Sequence, residues 1–332
     1  MNKKRQRLLK QSVLLTFLLI ICVISSGMIY LGSTIFRSQL PFFQLIDGEP
    51  SLSSDTNNPD EGTDLFPIEN PESNVMEDDS DVRLYMLLGS DYRPESGFRT
   101  DTLILVALNR SSNKASIISF PRDLWVAIPG YGEQRINTVM QLGGFPLLAD
   151  TLQYNFGVYP TQYAMIDMEG FLEIIDVLGG IEFTTEFMTA DACDGSLDPD
   201  GWCEVGPGLV SLDSDWALWY VRARYNSSDF ERMRRTQEVI GAVLNKVLSP
   251  AGMVKMPALL SIYESEVESN ISPNQILPMV RLAVGFNFDE DVRRYNIGRN
   301  ETTSWTTAQG AAVLLPNIAA IQALLQEALT FE

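Results

Sequence analysis

Five arginines, Arg222, Arg224, Arg232, Arg234 and Arg235, fall within fourteen residues in the stretch Y-V-R-A-R-Y-N-S-S-D-F-E-R-M-R-R-T-Q, Tyr220 to Gln237. The chain around them is acidic, with a formal net charge of −19. Positive charge gathered in one place on such a background points to an anion held there. Arginine suits that task because its planar fork pairs bidentately with phosphate oxygens and stays ionised. Three upstream segments join arginine to aspartate in the same way: G-S-D-Y-R (Gly89 to Arg93), R-T-D-T (Arg99 to Thr102) and P-R-D (Pro121 to Asp123). Alternating cations and carboxylates suit a metal-bridged diphosphate better than a carboxylic-acid ligand.

The 332 residues include no histidine. His-based triads, His metal sites and imidazole bases are thereby excluded, and proton transfer falls to Asp, Glu, Tyr, Lys or water. The acidic balance also opposes contact with a phosphate backbone over a broad surface, so no nucleic-acid partner is expected.

The elements that must position these residues lie between about residues 81 and 250. Leu84–Leu88 is an apolar run ending in Gly-Ser, a buried strand. Thr102–Leu108 and Ala115–Phe120 flank N-R-S-S-N-K as a hairpin, and Leu124–Ile128 is a strand before Pro129-Gly130. Val139–Phe156 is helical in spite of Gly143, Gly144 and Pro146. Gln162–Ile166 is a strand. Met168–Leu178 is an amphipathic helix closed by Gly179-Gly180, and Ile181–Thr185 a further strand. Asp213–Val221 is a short helix delivering Arg222 and Arg224. Asp229 starts the clearest helix, with Met233, Ile240, Val243, Leu244 and Val247 as its apolar stripe and Pro250 as its stop. The remainder reads as mixed and mostly helical, with a last helix near 318–329. Strands and helices interleave throughout, predicting an α/β fold: a mixed sheet covered by helices, a mixed α-β-α sandwich.

Before this domain, Lys3, Lys4, Arg5, Arg7 and Lys10 precede an apolar run from Val13 to Leu31. Its length fits a bilayer-spanning helix of roughly 20 residues and exceeds a cleavable signal core. The basic flank keeps the N-terminus cytoplasmic. The expected organisation is a basic tail (1–12), a single-pass transmembrane signal anchor (13–35), an acidic stalk (36–82), a catalytic domain (83–250) and a C-terminal part (251–332) packed on or continuing it. A cleaved signal peptide is the alternative for the anchor. The stretch from 38 to 82 carries twelve Asp or Glu and no Lys or Arg, too polar to order itself. Outside the membrane the space is oxidising, so Cys193 and Cys203, bracketing D-G-S-L-D-P-D-G-W, are expected to form a disulfide.

The motifs L-L-G-S-D-Y-R, R-T-D-T-L-I-L-V, S-F-P-R-D, R-I-N, I-D-x-x-G-F-x-x-I-I-D-x-L-G-G-I and Y-V-R-A-R…D-F-E-R-M-R-R-T-Q occur in the order of the LytR–CpsA–Psr family, which the chain resembles from about Leu84 to Leu248. The resemblance implies a mixed sheet between helical layers and a prenyl tail in an apolar pocket. It implies a membrane-anchored, extracytoplasmic phosphotransferase, a cell-wall glycopolymer ligase. Such an enzyme moves a glycan polymer from a polyprenyl-diphosphate carrier onto peptidoglycan through a phosphodiester bond.

Carried over by motif, Asp91 and Asp101 are the expected ligands of Mg²⁺, with Mn²⁺ as the alternative ion. Arg99, Arg122, Arg222, Arg224 and Arg232 form the expected diphosphate clamp, of which Arg99, Arg122 and Arg232 act in catalysis. Arg222 and Arg224, two apart, would point to one side of an extended segment. Arg135 stands where the family usually has Lys, a tolerable exchange for a phosphate contact. Arg235 shares the face of Arg232 and joins the diphosphate contacts, whereas Arg234 is assigned to a solvated face. Asp229 is either a helix N-cap or the carboxylate that accepts the proton of a sugar hydroxyl, and one residue can do both. Asp123 supports Arg122. Thr236 departs from the family's usual Gln, leaving that diphosphate contact in doubt. Two other functions use the same residues: a non-catalytic module binding prenyl diphosphates or anionic glycan, and a diphosphatase with water as acceptor.

Overall fold

The computed structural model describes residues 81–332 except 94–96, 226–227, 283–285 and 332. The basic tail, the anchor at 13–35 and the stalk up to residue 80 lie outside the described residues. Among those described, no helix is long and apolar enough to cross a membrane.

A central sheet of six strands organises the domain. It is built from β1 (Val82–Arg93), β2 (Gly97–Asn109), β3 (Lys114–Phe120), β6 (Gln162–Ile166), β11 (Val267–Ser269) and β12 (Val292–Asn296), in the order β11-β6-β1-β2-β3-β12. The pairs β1–β2, β2–β3 and β11–β6 are antiparallel, and β1–β6 and β12–β3 are parallel. The sheet is therefore mixed, as the interleaved pattern predicts. Leu103, Ile104 and Leu105 are buried in succession, which a strand shows only when both its faces are covered. On one face Leu103, Leu105, Ile118 and Phe120 pack with Leu148, Leu152 and Phe156 of α1 (Val139–Phe156) and with Ile321 and Leu325 of the C-terminal helix Ile318–Leu329. On the other, Ile104, Ala115 and Ile117 meet Phe288, Val292 and Ile240.

Local signals carry many boundaries. Helix α2 (Met168–Leu178) begins at Asp167, whose carboxylate accepts from the Gly170 N–H, and ends at Gly179 at φ 73°. A side chain at that angle is strained, which is why glycine closes the helix there. Helix α1 keeps its axis only in two pieces, since Gly143 and Gly144 leave helical geometry. Before α1, β4 (Trp125–Ile128) pairs with β5 (Gly132–Arg135); beyond α2, β7 (Ile181–Thr185) pairs with β10 (Gly208–Leu212), and β8 (Thr189–Ala192) pairs with β9 (Trp202–Val205). A disulfide joins Cys193 to Cys203, with Cα atoms 5.7 Å apart, and closes the polar loop between β8 and β9.

Three expectations change. The helix α4 (Asp229–Leu248) does not show one apolar stripe: Leu244 is exposed, while Met233, Arg235, Gln237, Val239, Gly241 and Ala242 are buried. One side of α4 meets the sheet layer and the other meets α2, β7 and α3 (Ser214–Arg222), so burial alternates around it. The Asp229 N-cap reading also falls. Ser228 is the N-cap, in a reciprocal capping box with Glu231, and Asp229 is the first helical residue. Finally, the C-terminal part is richer in strands than its pattern indicates. It supplies both edge strands of the sheet, β11 and β12, and a hairpin of β13 (Thr302–Thr306) and β14 (Ala312–Pro316).

Candidate active site

The Arg-Asp segments converge because one irregularity and a few backbone bonds bring them together. In the β1–β2 ladder Gly89 faces Thr102 and Ser90 faces Thr100, so Asp101 is the extra residue of a bulge. A bulge re-aims its side chain out of the ladder's alternation. Gly89 is needed there, since a Cβ on it would lie 3.0 Å from the Thr102 Cβ. Asp91 and Arg99 are ladder partners at the same end, which places the two proposed metal carboxylates, Asp91 and Asp101, together at that end of the sheet. The Pro-Arg-Asp and Arg-Ile-Asn segments are tied by Ile136 N–H to Leu124 O (2.8 Å) and Asn137 N–H to Arg122 O (3.3 Å). The buried Thr100 hydroxyl donates to Asn137 O at 3.3 Å and links both to β2.

Three arginines there meet three carboxylates. Arg122 places Nη1 2.8 Å from Asp101 Oδ2 and Nε 3.5 Å from Asp123 Oδ2. Arg232 places Nη2 3.2 Å from Asp229 Oδ1. Arg135 sets Nε 3.2 Å from Asp123 Oδ1 and donates from Nη2 to Ala312 O at 2.7 Å, bridging the cluster to β14. Burial opposes the charge on Arg122, yet Asp101, Asp123 and Asp229 together raise its pKa. Arg232 goes the other way: burial and the charge of Arg122 lower it against the pull of Asp229. Burial pushes the Asp123 carboxyl up. Arg122 and Arg135 pull it down, but Asp229, close enough to share a proton with it, adds to the rise. A neighbouring carboxylate disfavours the ionised form, which adds to the rise at Asp123.

The clamp expected from the sequence is divided by the fold. Asp101, Arg122, Asp229 and Arg232 are together, and Arg224 is near enough for its charge to depress Arg232. Arg222 is the last residue of α3 and not part of an extended segment. Ala223 caps that helix and is buried between the exposed Arg222 and Arg224. The arm is fastened by Asp191, whose carboxylate accepts from the Arg224 and Tyr225 N–H groups. Arg235 is a correction. It is 2 % exposed, donates from Nη2 to Ala223 O and lies 5.9 Å from the Tyr220 ring centre, so it props the arm from beneath. Its position three residues from Arg232 put it on one face in projection, but α3 covers that face. Arg234 is not on a solvated face either: it pairs with Glu238 and lies 4.4 Å over the Phe187 ring. Thr236 donates its hydroxyl back to Arg232 O at 3.0 Å, whereas the buried Gln237 amide binds Ser119 Oγ at 2.8 Å, tying α4 to β3.

Behind Arg122 and Arg232 a cleft is walled by Leu103, Ile104, Phe120 and Met233, with about 10 Å³ of open space. This cleft lies between the sheet and α4. On the other side of Asp123 and Asp229 a cleft of about 480 Å³ runs against β13 and β14. That hairpin is held by Leu314 N–H to Asp123 O at 2.9 Å. Its part in the site was not legible in the sequence, because no motif marks it and a pairing 190 residues apart leaves no local signal.

For a divalent cation, the donor set is two hard carboxylates, Asp91 and Asp101, beside arginines that hold anions. Among the described residues no group of three or more His, Cys, Asp or Glu could hold a metal. The residues fit a cation that takes its remaining oxygens from a diphosphate and water, the usual habit of Mg²⁺.

A mixed sheet between helical layers, with arginines and aspartates gathered at one end, defines an α/β protein with an Arg–Asp cluster. The LytR_cpsA_psr family model matches residues 53–327, and the chain belongs to that family. The regulatory protein MsrR of Staphylococcus aureus is 30% identical over 215 residues, covering 64% of this chain and 63% of that protein. An Oceanobacillus iheyensis protein named polyisoprenyl-teichoic acid–peptidoglycan teichoic acid transferase TagU is 29% identical over 221 residues, covering 64% and 66%. The chain thus spans just under two thirds of the length of these curated relatives. Among solved structures, B. subtilis TagV superposes with a TM-score of 0.63 at 22% identity, covering 76% of this chain and 98% of that one. TagT bound to LIIa-WTA gives 0.61 at 23% identity, covering 75% and 89%. At these identities the likeness is one of fold.

Proposed function

We propose that this chain is a membrane-anchored, extracytoplasmic phosphotransferase that moves a glycan polymer from a polyprenyl-diphosphate carrier onto peptidoglycan through a phosphodiester bond. The observation that carries the reading is Arg122 fixed between Asp101 and Asp123, with Arg232 and Asp229 beside it at the mouth of an apolar-walled cleft. Relatives named as teichoic acid transferases support it, and the disulfide fits an oxidising compartment.

In this reading Arg122, Arg232 and Arg99 bind the diphosphate beside the sheet end, and the exposed Arg222 and Arg224 close over it. A loose phosphoryl-transfer transition state needs its charge neutralised more than it needs covalent help, which is what clustered arginines provide. Asp91 and Asp101 would hold Mg²⁺, which supplies charge neutralisation on the diphosphate oxygens. The acceptor hydroxyl gives its proton to the Asp123–Asp229 pair as its oxygen bonds to the glycan-linked phosphorus. The bond from that phosphorus to the prenyl phosphate breaks, and prenyl phosphate leaves with the electron pair.

A regulatory name among the relatives favours the second reading, a non-catalytic prenyl-diphosphate binder. One experiment separates the readings. The full chain in lipid nanodiscs is given Mg²⁺, a prenyl-diphosphate oligosaccharide and peptidoglycan fragments, and products are read by mass spectrometry. The expected product is a fragment carrying the glycan on a phosphodiester. Prenyl phosphate released without attachment would mean hydrolysis, and bound donor without turnover would mean a binder. Asp91→Ala and Asp101→Ala should each abolish Mg²⁺-dependent turnover while leaving most tail-driven donor binding, and wild-type turnover in either would remove the metal assignment.

A further inference from the structure

The 480 Å³ cleft on the far side of the carboxyl pair is not needed to hold the diphosphate, yet it is built to hold something. Asp123 and Asp229 form its floor, and Phe230, Ser304, Trp305 and Thr306 form its walls. Its size falls within the range of small-molecule sites. Trp305 lines this trough and is 41 % exposed. It is nonetheless held in place: Trp125 meets it edge-on with ring centres 6.4 Å apart, and Trp125 Nε1 donates to Glu133 at 3.1 Å. Phe230 also lines a second cleft, of about 430 Å³, with Glu231, Gly298 and Arg299.

We propose that this trough is the acceptor subsite, taking the sugar rings of a hydroxyl-rich glycan strand with Trp305 as the stacking platform. The inference rests on the transferase reading above and names the place of its second substrate. Two carboxyl groups in the floor disfavour an anionic polymer and suit a ligand whose hydroxyls donate hydrogen bonds. The indole offers a flat apolar face to ring C–H groups, and Ser304 and Thr306 offer hydroxyl partners along the edge. The arrangement also separates the two substrates. Arg122 lines the narrow cleft and Asp123 lines the trough, and the two side chains meet between them at 3.5 Å. A sugar hydroxyl seated in the trough meets its proton acceptor on one side and the phosphorus beyond it.

Trp305→Ala and Trp305→Phe in the full chain in nanodiscs test this, with peptidoglycan disaccharide and tetrasaccharide fragments as the probe. Trp305→Ala should raise the acceptor KM about five- to tenfold, with the Phe variant recovering most of it and donor affinity retained. Trp305→Ala with wild-type acceptor KM would overturn the subsite while leaving the transferase reading intact. If the wild-type chain shows no transfer, that reading fails by itself, and calorimetric titration with the same fragments decides the subsite. Binding that weakens in Trp305→Ala and recovers in Trp305→Phe supports it, and no binding by the wild type defeats it.

Discussion

The inner arginines, Arg122 and Arg232, and the outer ones, Arg222 and Arg224, come from motifs that look alike but meet different surroundings. The inner side chains are only 14 % and 12 % exposed, and each is aimed by a carboxylate. The outer pair stands exposed on an arm tied down through its backbone by Asp191 and propped by Arg235. A guanidinium aimed in advance loses little freedom on meeting an anion, whereas an exposed one must be ordered by the ligand. The inner pair is thus suited to stabilising developing charge, and the outer pair to capturing the donor.

The largest effect that would break this contrast is on the inner pair. Arg122→Ala should lower transfer by about 10²–10³. It should also destabilise the fold, since Asp101 and Asp123 lose a part-buried partner, and thermal melting will register that cost. Arg232→Ala should match the loss of rate. Rates within a few-fold of wild type in both would erase the distinction.

Next comes the proton acceptor. Burial and Asp229 push the Asp123 carboxyl up, so the pair is protonated at low pH and ionises as pH rises. Transfer should therefore climb with pH through that raised value and level off above it. Asp229→Asn removes the neighbouring charge, which should move the limb to lower pH and drop the plateau by about 10²–10⁴. A limb that stays in place would exclude the pair from the proton transfer.

The outer arginines should give the smallest catalytic effects. Arg222→Ala and Arg224→Ala should each weaken donor binding by about tenfold, the lower end for a contact to a charged group, with melting temperature unchanged. Arg234→Ala sharpens the comparison from the other side. It loses the Glu238 pair and the Phe187 contact, so stability should fall by about 0.5–2 kcal/mol with donor affinity intact. A loss of donor affinity as large as that of Arg224→Ala would show that α4 presents Arg234 to the ligand.

Whatever is written in local chemistry could be read from the chain alone. The helix Met168–Leu178 follows from its apolar spacing and Gly179, and the β2–β3 hairpin from two apolar runs around a polar turn. The Arg-Asp segments, in a chain without histidine, are legible as candidates for an anion site. Periodicity and capping are short-range, so one segment suffices to show them. Which charges meet depends on long-range packing. Arg235 and Arg232 are equivalent in helical projection, and it is the packing of α3 on α4 that buries the first and leaves the second at the cleft. Asp229 was released from capping by Ser228 and met Asp123 only because two segments 106 residues apart came together. The hairpin bearing Trp305 reached the site through Leu314 and Asp123, a contact with no local signature. Burial, ion pairing and shared protons depend on what folds over a residue, and that is fixed by long-range packing.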